Sequence, residues 1–404
     1  MNAVGIDVSK GRSTVAVLNS SKDVVASPFD VSHTGSDLKV LADFIKELHG
    51  ETKVVMEETG NYYEPIARYL HEQNIFVSVV NPVLISDFDG NTLRKPKNDK
   101  KDSLKIASYA LSYWYDLKEY VPQEDLRKSL KLLNRQYQQA SKLKTMMNNN
   151  LISLLDLTFP GINKLFTSPS RESDGHEKWI DFVLAFPHCD MISKLTIKAF
   201  SRKYKKWCTG NSYYFTDASC EKIYDFAKEC ISSVSSTEST VFAVIQAARM
   251  LNSAIENCHA IQLEMNRVAA QLPEYDIVMS MYGVGKAVGP QLIAEIGDPR
   301  RFHSRKAITA YFGYDSESND SGQKESKSNA MTKKGASALR RTLFIIMQVL
   351  LQTKPIDNPV YDFLIKKQSE GKHYYSYMNA AANKFLRIYY AKVKEVLIAA
   401  EALT

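Results

Sequence analysis

Hydrophobic positions near the start of the chain alternate, and then their period changes. Val4–Val8 and Ser13–Leu18 are short apolar runs rich in β-branched residues, separated by Lys10-Gly11-Arg12. Two such runs around a glycine turn predict a β-hairpin. A third strand is predicted over Val24–Val31. Leu38, Leu41, Ile45 and Leu48 then recur at the spacing of a helix face. Beyond them the pattern predicts a strand at Lys53–Met56, a helix at Tyr63–Gln73, a strand at Phe76–Val80 and a helix from about Asp102.

Three antiparallel strands followed by crossover units describe an α/β fold of the ribonuclease H-like (RuvC-like) kind. A doubly wound nucleotide-binding sheet would alternate from its start. This first domain is expected to span 1–120. Positions 126, 130, 133, 137, 140, 144, 147, 151 and 154 then keep a 4-3 spacing, apolar except for Lys144. That is a heptad seam, predicting a long coiled-coil helix within 121–159 that stops at Phe159-Pro160-Gly161. Residues 160–240 read as an irregular insertion. Positions 244 to 272 repeat the seam, apolar except for Gln262, and predict a second coiled-coil helix within 241–273. The two helices suit an antiparallel hairpin, a coil with a partner chain, or both. Residues 274–404 are expected to form a mainly α-helical C-terminal domain. There Gly283-Val284-Gly285 precedes a helix, and such a turn can offer backbone N–H groups to a phosphate, although a plain tight turn explains it equally.

Composition narrows the class. Of 404 residues, 44% are hydrophobic and 24% charged, as in a folded domain and unlike a disordered or fibrous chain. The longest apolar run, Leu343–Leu351, falls well short of the roughly 18 residues a membrane span needs. The opening MNAVGIDVSK lacks a basic leader segment, so a cytoplasmic, nucleoid-associated protein is expected. Five cysteines without a Cys-x-x-Cys pair indicate neither a disulfide framework nor a zinc site. The net charge of +7 is concentrated. Residues 94–105 hold six cations and two acids, and residues 300–341 hold ten cations and four acids. Arg94, Lys95, Lys97, Lys100 and Lys101 in the first cluster, and Lys324, Lys327, Arg340 and Arg341 in the second, are candidates for phosphate contacts. A solvated charge run is the plainer alternative. Residues 198–207 interleave Phe200, Tyr204 and Trp207 with five cations, which suits either stacking on unpaired bases or an aromatic core stripe.

Chemistry points to carboxylates. Asp7 interrupts an apolar strand, where an unpaired charge is costly. Glu57 ends the fourth predicted strand, with Glu58 as its rival, and Asp99 and Asp102 share a helix face. In a ribonuclease H-like sheet the first and fourth strands are neighbours and the late helix crosses their end, so the four acids would converge. Clustered carboxylates need a cation, and hard oxygen donors favour Mg²⁺ or Mn²⁺. Asp99 and Asp102 also suit a plain helix start.

GIDVSK around Asp7, EETGNYYEP around Glu57 and KNDKKDSLKIA around Asp99 and Asp102 resemble the four-acid signature of the DEDD transposases of bacterial insertion sequences. SMYGVGKAVGPQLIAEIGDPRRF, Phe312-Gly313, the DSG at 320–322, TKKGASALRRTLF and NAAANKFLRIYYA are similar to that family's C-terminal domain, in the same order. The resemblance implies a RuvC-like domain binding divalent metal through Asp7, Glu57, Asp99 and Asp102. It also implies a serine nucleophile, which falls on Ser321, with Ser318 and Ser326 as rivals. The family usually reads Gly-Leu-x-Pro where this chain has Gly313-Tyr314-Asp315-Ser316. Implied partners are donor and target DNA, a non-coding bridge RNA and further copies of the chain, as a dimer or a tetramer on nucleic acid. The implied activity is strand cleavage and rejoining through a phosphoserine link. Its rivals are a metal-dependent Holliday-junction nuclease that uses water, and a non-catalytic nucleic-acid-binding scaffold. GIDVSKGRSTVAVL also resembles an ATPase phosphate hairpin, but no second Asp- and Gly-rich loop follows.

Overall fold

Period-2 alternation gives each strand two different faces, and the sheet uses both. In the computed structural model, β1 (Asn2–Ser9), β2 (Arg12–Asn19) and β3 (Val24–Ser32) pair antiparallel, while β4 (Thr52–Glu57) and β5 (Val77–Val80) add in parallel. The strand order is β3-β2-β1-β4-β5. Val4, Ile6, Val8, Val15, Val17, Val54, Met56 and Val77 form one face, under α1 (Gly35–Glu47) and α2 (Glu64–Glu72). Ala3, Leu18, Val55 and Val80 form the other, under α3 (Pro82–Phe88) and α4 (Asp99–Ser112). The predicted elements of this region are all present. The pattern missed α3, a seven-residue helix with Ile85 as its buried residue, too short to show a period.

Gly5 sets the distance between β1 and α4. A Cβ there would lie 2.2 Å from the Ser103 carbonyl oxygen and 2.4 Å from the Ala107 nitrogen. The helix backbone therefore rests on the strand, a contact that no larger residue permits.

Residues other than Asn61, 89–97, Gln123, 314–334 and 403–404 are described, and they divide into two units, Met1–Gln123 and Glu124–Thr404. The second unit is built on α5 (Asp125–Thr158) and α10 (Glu238–Ala269). Leu130, near the start of α5, packs with Met265, Val268 and Ala269, near the end of α10. Leu151 and Leu155, near the end of α5, pack with Val244, Ala248 and Leu251, near the start of α10. The two helices are thus antiparallel, and each covers the other's seam within one chain. Leu126 is the exception, 38% exposed at the first position of the seam.

Residues 160–240 are not irregular. They form α6 (Lys178–Ala185), α7 (Asp190–Ser193), α8 (Ile197–Gly210) and α9 (Asp217–Glu229), closing a second core with the α5–α10 hairpin. α6 and α7 are short, and the rings that join the four helices are far apart in sequence, which hides the core they share. Phe200 and Tyr204 are fully buried there and stack at 5.7 Å. The aromatic stripe of α8 is therefore core, and the five cations of 198–207 face solvent.

The C-terminal part packs α11 (Tyr275–Met279), α12 (Gly289–Ile296), α13 (Arg305–Tyr311), α14 (Ser337–Thr353), α15 (Pro359–Ser369) and α16 (Tyr374–Glu401) around Leu343, Ile346, Met347, Phe385 and Tyr389. Among the described residues no helix is long and apolar enough to cross a membrane.

Candidate active site

The acids are ordered by strand register. The β1–β4 ladder runs to Ile6 opposite Met56, so its next step sets Asp7 beside Glu57. Asp7 lies two residues after Gly5 and Glu57 two after Val55, which puts both on the face covered by α4. Glu58, one residue further, falls on the opposite face and is exposed, whereas Glu57 is half-buried. The row continues outward: Asp7 pairs with Thr14, and Thr14 with Asp30.

The helix supplies the other two. Asn98 caps α4 by accepting a hydrogen bond from the Lys100 N–H at 3.0 Å. Asp99 and Asp102 follow in the first turn, both half-buried. The buried stripe of α4 is Ser103, Ile106, Ala107 and Ala110. Asp99 lies one turn before Ser103 and Asp102 one turn before Ile106, so the two carboxylates extend that stripe to the helix start. The positive end of the helix dipole favours them there. Lys100 and Lys101 lie off the stripe and are exposed.

The register and the helix start thus put Asp7 and Glu57 on two neighbouring strands, on the face of the sheet that α4 covers, and Asp99 and Asp102 in the first turn of that helix. Carboxylate oxygens are the donors that Mg²⁺ or Mn²⁺ favours, and these four residues are the ones that could hold such an ion. Among the described residues, the group of three donors within 4.8 Å of one another is a different one, His188, Cys189 and Asp190. Those donors are engaged. His188 Nδ1 accepts from the Asp190 N–H at 3.1 Å, Nε2 donates to the Val234 carbonyl at 2.9 Å, and Asp190 pairs with Lys194 at 2.9 Å. This group closes the turn before α7.

Ser321, Ser318, Ser326, Lys324, Lys327, Arg94, Lys95 and Lys97 lie outside the described residues. Arg340 has a defined role. Its guanidinium donates to the Phe312 carbonyl at 3.1 Å and to the Gly335 carbonyl at 3.2 Å. A Cβ on Gly335 would lie 2.4 Å from the Tyr311 carbonyl oxygen, and its φ is +138°. The chain therefore enters and leaves 314–334 at adjacent points, and Arg340 fastens them. The charge count suggested a phosphate contact for this residue. Arg341, its neighbour, is exposed.

Sequence reasoning passed over Asp30. It accepts from Thr14 Oγ1 at 2.8 Å and pairs with Arg12 at 3.3 Å, in the same row as Asp7. Its exposed position on an edge strand gave no signal; only register reveals it.

Residues 4–160 match the model of a transposase family, the DEDD transposases named for IS110. Residues 275–362 match that of the transposase IS116/IS110/IS902 family. The chain is also similar to a pilin gene-inverting protein of Moraxella bovis, 19% identical over 343 residues, which are 85% of this chain and 80% of that protein.

Proposed function

Because the chain belongs to the IS116/IS110/IS902 transposase family, and so is a DNA recombinase, we propose that it cleaves and rejoins DNA through a phosphoserine intermediate at a RuvC-like acidic site. The observation that carries this reading is the register of Asp7 beside Glu57, under the first turn of α4 with Asp99 and Asp102. These four residues would hold the divalent cation, whose Lewis acidity serves phosphoryl transfer when it is bound. Ser321 attacks phosphorus. An Oγ–P bond forms, one P–O bond of the DNA breaks, and the freed DNA hydroxyl takes up a proton. Attack by a hydroxyl of the second strand reverses these changes and releases the serine, so the backbone is rejoined without ATP. Lys324 and Lys327 neutralise charge developing on the phosphate.

Guidance by a bridge RNA, with donor and target DNA held on a homo-oligomer, completes the reading. The basic segments 94–105 and 300–341 support it, because Lys and Arg contacts to phosphates release counterions and dominate affinity. Similarity to a gene-inverting protein extends the reading to inversion of a DNA segment.

The test is adduct trapping. Protein and cleavable DNA are quenched in denaturant, and peptides are sought by mass spectrometry. A nucleotide on Ser321 is expected, absent from Ser321→Ala. An adduct on Ser318 or Ser326 moves the nucleophile. Undiminished cleavage by Ser321→Ala with no adduct assigns the reaction to a metal-activated water. RNA that copurifies and is needed for recombination supports guidance; full recombination by RNA-free protein removes it.

A further inference from the structure

The rings that sequence pattern marks for base stacking, on α8, are buried, but a second set is not. His373, Tyr374 and Tyr375 open α16 and are all exposed. Tyr375 keeps 60% of its surface and Tyr374 36%. They lean on one another and on α14. Tyr375 stacks on Phe344 with centroids 5.9 Å apart and planes 25° apart, and His373 lies 5.8 Å from Tyr375 at 30°. Tyr374 meets Phe344 edge-on at 6.0 Å, Tyr375 at 5.3 Å and Tyr377 at 5.5 Å. Tyr377 is buried and Phe344 half-buried, and they act as the floor. Packing explains the floor but not the exposed rings above it, which leave flat apolar surface in water.

The charge around the rings is positive. Lys372 precedes His373 and is exposed. Arg341 is exposed one turn before Phe344 on α14. The carboxylate of the α15–α16 turn, Glu370, is bonded to Lys367 at 2.8 Å. Flat rings braced from below and edged by cations match one ligand chemistry: an aromatic base carrying a phosphate. Strand exchange on DNA must unpair bases, and a base out of its stack loses its neighbours' contacts.

We infer that Tyr375, braced by Phe344 and flanked by His373 and Tyr374, is a platform on which an unpaired base of a DNA strand stacks, with Lys372 and Arg341 beside its phosphates. The inference rests on the chain acting on DNA strands, and on neither the nucleophile, the metal nor a guide.

The test uses the full-length protein and a short single-stranded DNA carrying 2-aminopurine, with the same sequence as a duplex for comparison. Stacking should quench the fluorophore on the single strand. Tyr375→Ala should weaken single-strand binding roughly 5- to 100-fold, the loss of one base–aromatic stack, and leave duplex binding within about twofold. Tyr375→Trp should retain binding, because the ring and not the hydroxyl is used. Lys372→Ala should lower the salt dependence by about one phosphate contact. Photocrosslinking from 5-iododeoxyuridine should map to residues 372–377. Unchanged single-strand affinity in Tyr375→Ala, or an equal loss on duplex, overturns the platform. So does a more than tenfold preference for the same sequence as RNA. Binding needs no catalysis, so a negative result with strand cleavage intact leaves the recombinase reading standing.

Discussion

At the scale of single residues, the candidate site depends on one glycine as much as on its acids. Asp102→Ala should abolish strand cleavage while DNA binding persists, since many phosphate contacts remain. Gly5→Ala should also impair cleavage, although Gly5 has no functional group. Its methyl would occupy the space of the Ser103 carbonyl and the Ala107 nitrogen, and α4 would have to move away from β1. Overpacking of this kind costs about 1–3 kcal/mol, measurable by urea denaturation. Cleavage should fall further than the stability loss explains, because Asp99 and Asp102 travel with α4. Wild-type stability and cleavage in Gly5→Ala would show that the strand–helix contact does not set the site. A third expectation concerns acid. The Arg171 guanidinium, with the His176 N–H, holds Asp174 down to about 2. The folded chain therefore binds fewer protons at Asp174 than the unfolded one. This contribution is complete above the ordinary carboxylate range and is lost as pH falls from about 4 toward 2. Asp174→Asn should flatten that part of the stability–pH curve; an unchanged curve would place the acid sensitivity elsewhere.

At the scale of elements, the clasp around 314–334 separates two uses of arginine. If Arg340 fastens Phe312 to Gly335, Arg340→Ala should lower the cleavage rate and leave DNA affinity and its salt dependence unchanged. If it holds a phosphate, affinity should weaken and the salt slope fall by about one. Gly335→Ala should resemble the clasp outcome, because its φ of +138° and the nearby Tyr311 carbonyl exclude a side chain. Elements were legible in the sequence where periods are long or strands alternate. All five strands, α4 and the two long helices follow from pattern. Asp7 was legible because a carboxylate in an apolar strand demands a partner. The insertion was not, because its core joins rings separated by tens of residues, on helices of which two, α6 and α7, are short. Asp30, Gly5 and Arg340 were not legible for a related reason: their roles come from register and from contacts between distant backbones, which a linear pattern does not record.

At the scale of the whole molecule, the heptad seams no longer argue for a partner chain by themselves. Leu130 is fully buried against α10 and the C-terminal helices, so charging it would unfold the chain and not merely dissociate an assembly. A surface for the proposed assembly has instead to lie elsewhere, and the other side of α5 offers one. Leu132, Leu143, Met146 and Leu157 are exposed there, by 62%, 44%, 56% and 43%. Leu132 and Leu143 are three helical turns apart, as are Met146 and Leu157, and Leu143 and Met146 are neighbours at i,i+3, so the four form one stripe. On the proposed homo-oligomer, this stripe is the face a second copy covers. Leu143→Glu combined with Met146→Glu should lower the molar mass in light scattering, in the free protein or on DNA, with the unfolding transition unchanged. Leu151→Ala, inside the hairpin, should do the reverse: about 2–5 kcal/mol of stability lost with the assembly order retained at temperatures where the chain is folded. The pair of variants distinguishes a surface that joins chains from a seam that closes one. A monomeric mass for the wild-type chain with and without DNA, or an unchanged mass for the double variant, would remove the stripe as an assembly surface.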